Sequence, residues 1–279
     1  MIPGVRRVFH PTDFSQASSI AFSHALKIAL VAQAELDILH VTSGGEAPWA
    51  NFPGVRETLE QWGVLAPGST REMVAQLGIV VRKVVAKRSD PVDAALDYLS
   101  GHPTDLVVLG THQSGGRLSW LHRPVAAPLA RGARLLTLFI PEGVEGFVSF
   151  VDGSVLLRKV LVPVDVAPDP AAAVEAACVV AWALQAPEVH FTVLHVGSET
   201  KAPRILPEAQ PGWTWSFQTT PGDIVDTILR VANETQADLI AMATGGRSGF
   251  LDALRGSTAE RVIRSARCPV LAVPVSRAP

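Results

Sequence analysis

The sequence predicts an α/β protein built from two tandem, doubly wound, five-stranded and mostly parallel sheets. Three observations carry this: an internal repeat, short apolar runs alternating with helical stretches, and proline-marked helix starts. The repeat comes first, because it sets the architecture. Val8-Phe9-His10-Pro11-Thr12-Asp13 recurs as Leu161-Val162-Pro163-Val164-Asp165. Leu36-Asp37-Ile38-Leu39-His40-Val41 recurs as Phe191-Thr192-Val193-Leu194-His195-Val196. Asp105-Leu106-Val107-Val108-Leu109-Gly110-Thr111 recurs as Asp238-Leu239-Ile240-Ala241-Met242-Ala243-Thr244, and 133–141 is answered by 267–274. Four matches in the same order describe one unit present twice.

In the first half, strands are expected near 5–10, 35–41, 80–85, 106–110 and 135–140, with helices near 17–31, 69–77, 92–100 and 125–131. The strands are short, apolar and rich in β-branched residues, as parallel strands covered on both faces must be. The second half repeats the order, with strands near 159–163, 190–196, 213–218, 239–243 and 270–273 and helices near 171–185, 223–236 and 258–266. Right-handed strand–helix–strand crossovers make such a chain an open sheet with helices on both faces. Two units, 1–141 and 156–279, are therefore expected, joined by a linker over 142–155. Asp90-Pro91 and Asp169-Pro170 each set a capping carboxylate before a proline in the first helical position. Thr220-Pro221-Gly222-Asp223 is a weaker start, and Ser257-Thr258-Ala259-Glu260 has the spacing of a capping box.

Composition excludes several classes. Of 279 residues, 48% are hydrophobic and 18% charged, enough for a core and no case for disorder. The formal charge of −2 argues against a nucleic-acid binder, which shows a basic excess or stripe. The apolar run 176–184 stops far short of the roughly 18 residues needed to cross a bilayer, so no membrane partner is expected. The first residues lack a secretory pattern, and Cys178 and Cys268 form no metal-ligand or redox spacing. A reduced, cytoplasmic protein without metal is the expectation. His40 and His195 end apolar strands and read as buried, hydrogen-bonded histidines. Trp213 and Trp215 read as packed to one face of a strand, and Cys178 as a small core residue. The role of the segment 43–68, with Trp49, Phe52 and Trp62, stays open between a lid, an oligomer contact and simple packing over the sheet, the last being favoured.

In an open α/β sheet, ligands bind beyond the carboxyl ends of the strands. The loop after the fourth strand of the second half runs Ala243-Thr244-Gly245-Gly246-Arg247 and on to Arg255-Gly256-Ser257-Thr258, where a helix begins. Glycines let backbone approach a ligand, and the first N–H groups of a helix favour an anion. No Gly-Lys-Ser/Thr of a Walker loop and no Gly-x-Gly-x-x-Gly after the first strand is present.

With its paired α/β units, a first strand ending Pro-Val-Asp, a second ending Leu-His-Val, and Gly246, nine residues, Gly256 and Ser257 before the last helix, the chain resembles the universal stress protein family. The resemblance covers nearly the whole chain as a tandem pair. It implies the fold shared with adenine-nucleotide alpha-hydrolases, and a nucleotide loop Gly-x-x-Gly-x9-Gly-(Ser/Thr). It places Asp165 and Val196 beside adenine, and Met242, Ala243, Gly246, Arg247, Gly256, Ser257 and Thr258 around the rest of the nucleotide. Ala243 stands where the family's first glycine falls. In the first half, Gly110 matches, but Gln113, Arg123 and Pro124 replace the later loop residues, so that half reads as degenerate. Asp13 answers Asp165, with helix capping alongside Ser15 as its equally weighted account.

The implied ligand is ATP or AMP, with magnesium as its companion. No nucleophile with an orienting partner and no general base for hydrolysis is recognisable, so the expectation is a stress-response binding protein, non-catalytic or a very slow ATPase. The alternative is a nucleotide-free protein-interaction module of the same fold, which Ala243 and the degenerate first half favour. The resemblance further implies an intrachain pseudo-dimer formed by the last strands of the two halves, with dimers of whole chains beyond it.

Overall fold

The computed structural model describes residues 5–44, 49–111, 135–205, 207, 209–246 and 258–276. Ten strands form one sheet: β1 (Arg7–Thr12), β2 (Glu35–Thr42), β3 (Val80–Lys87), β4 (Leu106–Thr111), β5 (Leu136–Pro141), β6 (Lys159–Val164), β7 (Val189–Val196), β8 (Trp213–Thr220), β9 (Leu239–Gly246) and β10 (Val270–Ser276). Their spatial order is β3-β2-β1-β4-β5-β10-β9-β6-β7-β8. Every neighbouring pair is parallel except β5 with β10. The two expected five-stranded sheets are thus halves of one continuous sheet. Register makes the repeat explicit. Val8 pairs with Leu36 and Leu106, and Val160 pairs with Phe191 and Leu239. At the seam Leu138 lies opposite Leu271, with Phe139 opposite Val270 and Thr137 opposite Ala272. Joining the two edges pairs backbone groups that separate sheets would leave open.

Helices flank the sheet: α1 (Gln16–Ala32), α2 (Val55–Gln61), α3 (Arg71–Gln76), α4 (Pro91–Gly101), α5 (Pro170–Ala183), α6 (Ile224–Thr235) and α7 (Thr258–Ser265). The long helices α1 and α5 bring alanine to the sheet at every fourth position. Ala21, Ala25 and Ala29 in α1, and Ala173, Ala177 and Ala181 in α5, have no exposed surface. Four-residue spacing puts such methyl groups on one face, where they permit close approach. Asp90, Asp169 and Asp223 cap α4, α5 and α6 through their side chains. Glu260 in α7 is buried and receives Arg264 at 2.6 Å, while its expected capping partner Ser257 lies outside the described residues. The two halves also share a tie at the amino ends of their first strands. Asp105 Oδ2 accepts from the amides of Arg6 and Arg7, and Asp238 Oδ2 from those of Arg158 and Lys159.

The segment 142–155 is docked. Phe147 and Val148 are buried, and Val148 bridges to Val155. His24 holds them: its Nδ1 donates to Ile20 O at 2.9 Å, and its Nε2 accepts from the amides of Phe147 and Val148 at 3.1 and 3.2 Å. Trp62 Nε1 donates to Phe150 O at 3.1 Å. Flanked by glycines, this stretch reads as a linker in sequence, and the buried Phe147 side chain makes it part of the core. Phe52, Val55, Leu59, Trp62 and Leu65 pack into the same core, in keeping with the expected role of 43–68. Phe191 stacks on Trp215 at 4.3 Å and meets Trp213 at 5.2 Å, so both tryptophans share a face. The helix expected near 125–131 lies outside the described residues.

Candidate functional site

In the second half the chain leaves β6 toward β7 on one side and returns through β9 on the other. The crevice beyond the carboxyl end of β6 is the switch point of that half. Pairing of β6 with β7 stops at Val164–His195, so Asp165 and Val196 stand side by side just past the paired stretch. Asp165 is more than half exposed, and its Oδ1 accepts from the amide of Val166 at 2.8 Å. Asp169 Oδ1 takes over the capping of α5, accepting from Ala171 at 3.0 Å. Asp165 is therefore not committed to a helix start. Asp13 in the first half is drawn into one: its Oδ1 accepts from the amide of Ser15, the capping residue of α1.

On the β9 side, Met242 is buried, and Ala243 is half-buried against the core. The strand runs on to Gly246, beyond its expected end at residue 243, because β10 extends alongside it and sets Gly246 opposite Ser276. Gly245 and Gly246, expected in the loop, thus belong to the strand. Thr258 opens α7. Arg247, Gly256 and Ser257 lie outside the described residues. The Gly110-to-Ala243 difference has a local cause in the first half, where a Cβ on Gly110 would stand 2.8 Å from the Ala17 backbone. In the second half, the loop from Asp165 to its cap Asp169 is two residues longer than that from Asp13 to Ser15.

The strongest asymmetry lies directly after the two aspartates. Phe14 folds over His40, rings 4.0 Å apart and 21° from parallel, and meets the edge of Phe52 at 5.4 Å. Trp49 stacks on Phe52 in turn. Phe14 adopts φ +64 to do so, a conformation uncommon for a bulky side chain. At the matching place in the second half stands Val166, 69% exposed. The first half fills its own crevice with aromatic rings; among the described residues of the second half no ring takes the matching place.

Both strand-end histidines bond to the preceding first strand. His40 Nδ1 donates to Thr12 O at 2.9 Å, and His195 Nδ1 to Val164 O at 3.3 Å. His195 is buried as expected, and its Nε2 has no hydrogen-bond partner among the described residues. His40 is half-buried under Phe14. Deeper in the first half, His10 donates through Nδ1 to Val108 O, and burial pushes its pKa down to about 4. Burial pushes the Cys268 thiol up to about 12, with the nearby charge of Asp238 adding to the effect. Such a thiol is unreactive.

Sequence reasoning passed over Phe14 and the free nitrogen of His195. The first had a signal in the repeat, an aromatic against valine after the aspartate. The second depends on a neighbour, Gly197, set against Thr42. A separate cavity of about 380 Å³ opens at the amino ends of β6, β7 and β8, lined by Lys159, His190, Thr192, Ser216 and Glu234. It lies at the end of the sheet opposite the switch point, where ligands of open α/β sheets do not bind. Among the described residues no three His, Cys, Asp or Glu side chains gather as metal ligands, and no helix is long and apolar enough to cross a membrane.

The profile of the Universal stress protein family matches residues 4–140 and 206–274. Universal stress protein Mb2028c of Mycobacterium bovis is 26% identical over 288 aligned residues, spanning 93% of this chain and 94% of that one. Universal stress protein MJ0531 of Methanocaldococcus jannaschii is 52% identical over 46 residues, which are 16% of this chain and 27% of that relative. Among solved structures, a universal stress protein from Archaeoglobus fulgidus superposes with a TM-score of 0.59 at 16% identity, covering 97% of this chain and 98% of that one. The last likeness is one of fold. With a family match in each half and the shared strand order of both, the chain belongs to the universal stress protein family.

Proposed function

We propose that the C-terminal half of this protein binds ATP or AMP at the carboxyl ends of β6, β7 and β9, as a cytoplasmic stress-response protein without appreciable catalysis. Adenine lies by Asp165 and Val196. The phosphates lie over the loop from Gly246 and Arg247 to Gly256, Ser257 and Thr258. The observation that carries this reading is the replacement of Phe14 by Val166 at the corresponding position of the second half. The crevice that the first half fills with its own ring is bordered in the second half by an exposed valine and by an exposed carboxylate that caps no helix. The donor set suits a nucleotide: α7 begins at Thr258, and unpartnered amides at a helix start favour phosphate. A magnesium ion would be held by the phosphates and water, in keeping with its preference for few protein ligands.

Titration calorimetry of the full chain with ATP and with AMP, each with and without magnesium, tests the reading. Binding of about one nucleotide per chain is expected. Absence of heat at millimolar nucleotide, with folding confirmed by circular dichroism, would leave the nucleotide-free interaction module in its place. Gly256→Val is expected to abolish phosphate binding and keep the fold; unchanged affinity would put the site elsewhere.

A further inference from the structure

We propose that the cavity at the amino ends of β6, β7 and β8 binds a small organic carboxylate, held by Lys159 and the hydroxyls of Thr192 and Ser216. The site lies apart from the crevice beyond β6 and does not depend on nucleotide there.

Topology alone sends the ligand of an open sheet to the carboxyl ends of its strands. What marks this cavity is the repeat. In the first half the matching face carries a closed ion network. Arg7 pairs in register with Glu35, and Asp37 with Arg82. Arg7 Nη2 donates to Glu35 Oε2 at 2.6 Å, Arg82 Nε donates to Asp37 Oδ1 at 2.8 Å, and Arg82 Nη2 also reaches Glu35. Asp37 is fully buried, and Tyr98 of α4 lies against it and Arg82. Two carboxylates and two guanidinium groups neutralise one another across the face.

In the second half the same register sets Lys159 opposite His190 and Thr192 opposite Ser216. The cation of the first row is kept, while both carboxylates are gone: His190 stands in place of Glu35, and Thr192 in place of Asp37. Ser216 takes the place of Arg82. Val231 takes that of Tyr98, each at the same distance from the aspartate that caps its helix. These shorter side chains leave a cavity of about 380 Å³, within the range of small-molecule pockets. Because β8 ends the strand order, the cavity lies at the edge of the sheet, where Lys159 and His190 are exposed and a ligand can reach them. Thr192, which also lines it, is buried.

The donors suit a carboxylate. His190 Nδ1 lies 2.8 Å from Thr214 Oγ1 and Nε2 lies 3.0 Å from Ser216 Oγ, which is in turn 3.2 Å from Thr192 Oγ1. With Nε2 donating to Ser216 Oγ, the serine hydrogen is free to turn toward a ligand. A carboxylate beside Lys159 thus takes ammonium and hydroxyl hydrogens together, where the first half carries carboxylates of its own. Charge-assisted hydrogen bonds of this kind are the strong ones. Glu234, the carboxylate that lines the cavity, is held through both oxygens by Arg230 at 2.7 and 2.8 Å, which offsets its repulsion.

Amide NMR spectra of the full chain, recorded during titration with succinate, its neutral diamide succinamide and inorganic phosphate at matched ionic strength, test the site. Succinate is expected to shift the signals of His190, Thr192 and Ser216 saturably at millimolar concentration, and succinamide to leave them in place. Lys159→Gln is expected to weaken succinate binding about tenfold. His190→Glu restores the pairing of the first half opposite Lys159, and is expected to abolish succinate binding in a protein whose circular dichroism is unchanged. Equal shifts from succinate and succinamide overturn the proposal, because the charge is then not read. Tighter binding of phosphate than of succinate overturns it too, as does unchanged succinate affinity in Lys159→Gln. If the wild-type signals show no saturable shift at tens of millimolar succinate, the proposal fails whatever the variants do.

Discussion

Phe14 lies face to face on His40, with ring centroids 4.0 Å apart, at the end of β1, where the matching residue of the second half, Val166, is exposed. Phe14→Ala removes this stack and the edge contact with Phe52. Because the ring is only half-buried, the loss is expected to be about 1–2 kcal/mol, below the roughly 3–5 kcal/mol of a fully buried aromatic. Urea unfolding checks it. Nucleotide stoichiometry in the same variant is expected to stay at one per chain, since Arg123 and Pro124 stand where the loop of the second half has Gly256 and Ser257.

His24 ties the segment 142–155 to α1 by accepting two buried amide hydrogens. Removing the acceptor in His24→Leu leaves both amides of Phe147 and Val148 unpaired, at an expected cost of about 2–4 kcal/mol. The variant is expected to expose the segment, so limited proteolysis should cut within 142–155 well before the wild type is cut. Equal cleavage rates would show that Phe147 and Val148 hold the segment without the histidine.

Acid is expected to destabilise the fold before any carboxylate contact is lost. Burial holds both His10 and His24 down at about 4, against 6.5 in the unfolded chain. Above pH 6.5 neither state carries the protons, and their contribution is complete. As pH falls from 6.5 toward 4 the unfolded chain takes up protons that the folded one refuses, so stability drops, levelling off below about 4. Each histidine accounts for on the order of 3 kcal/mol across that window. Urea midpoints at pH 7.5, 5.5 and 4.5 should fall in that order, and less steeply in His24→Leu than in the wild type.

Leu138 and Leu271 face one another where the two halves join, and both are essentially unexposed. Either leucine changed to alanine is expected to cost about 2–5 kcal/mol. Because they are register partners, the double variant should lose less or more than the sum by about 0.5–3 kcal/mol. Strict additivity in denaturant unfolding would mean that the two side chains contribute independently, with no contact energy between them across the seam.

The sequence by itself determined the repeated α/β unit and several helix starts. These rest on local rules: apolar runs of strand length, aspartate before proline, and a spacing kept in both copies. Asp90 and Asp169 cap their helices where they were read, because a cap is decided by the residues on either side of it; the weaker start at 220–223 resolves into a cap by Asp223. The elements that escaped such reading are those whose partners lie far along the chain. The stretch around Phe147 looks like a linker until His24, more than a hundred residues earlier, is seen to hold it. Gly245 and Gly246 look like a loop until β10 is laid beside them. At the site, Asp165, Val196 and Met242 were legible as strand-end residues of a repeat, while the unpaired nitrogen of His195 and the filling of the first crevice by Phe14 were decided by tertiary structure alone. Whether a polar atom is satisfied, or a crevice filled, depends on what other segments bring to it, and spacing along one segment carries no record of that.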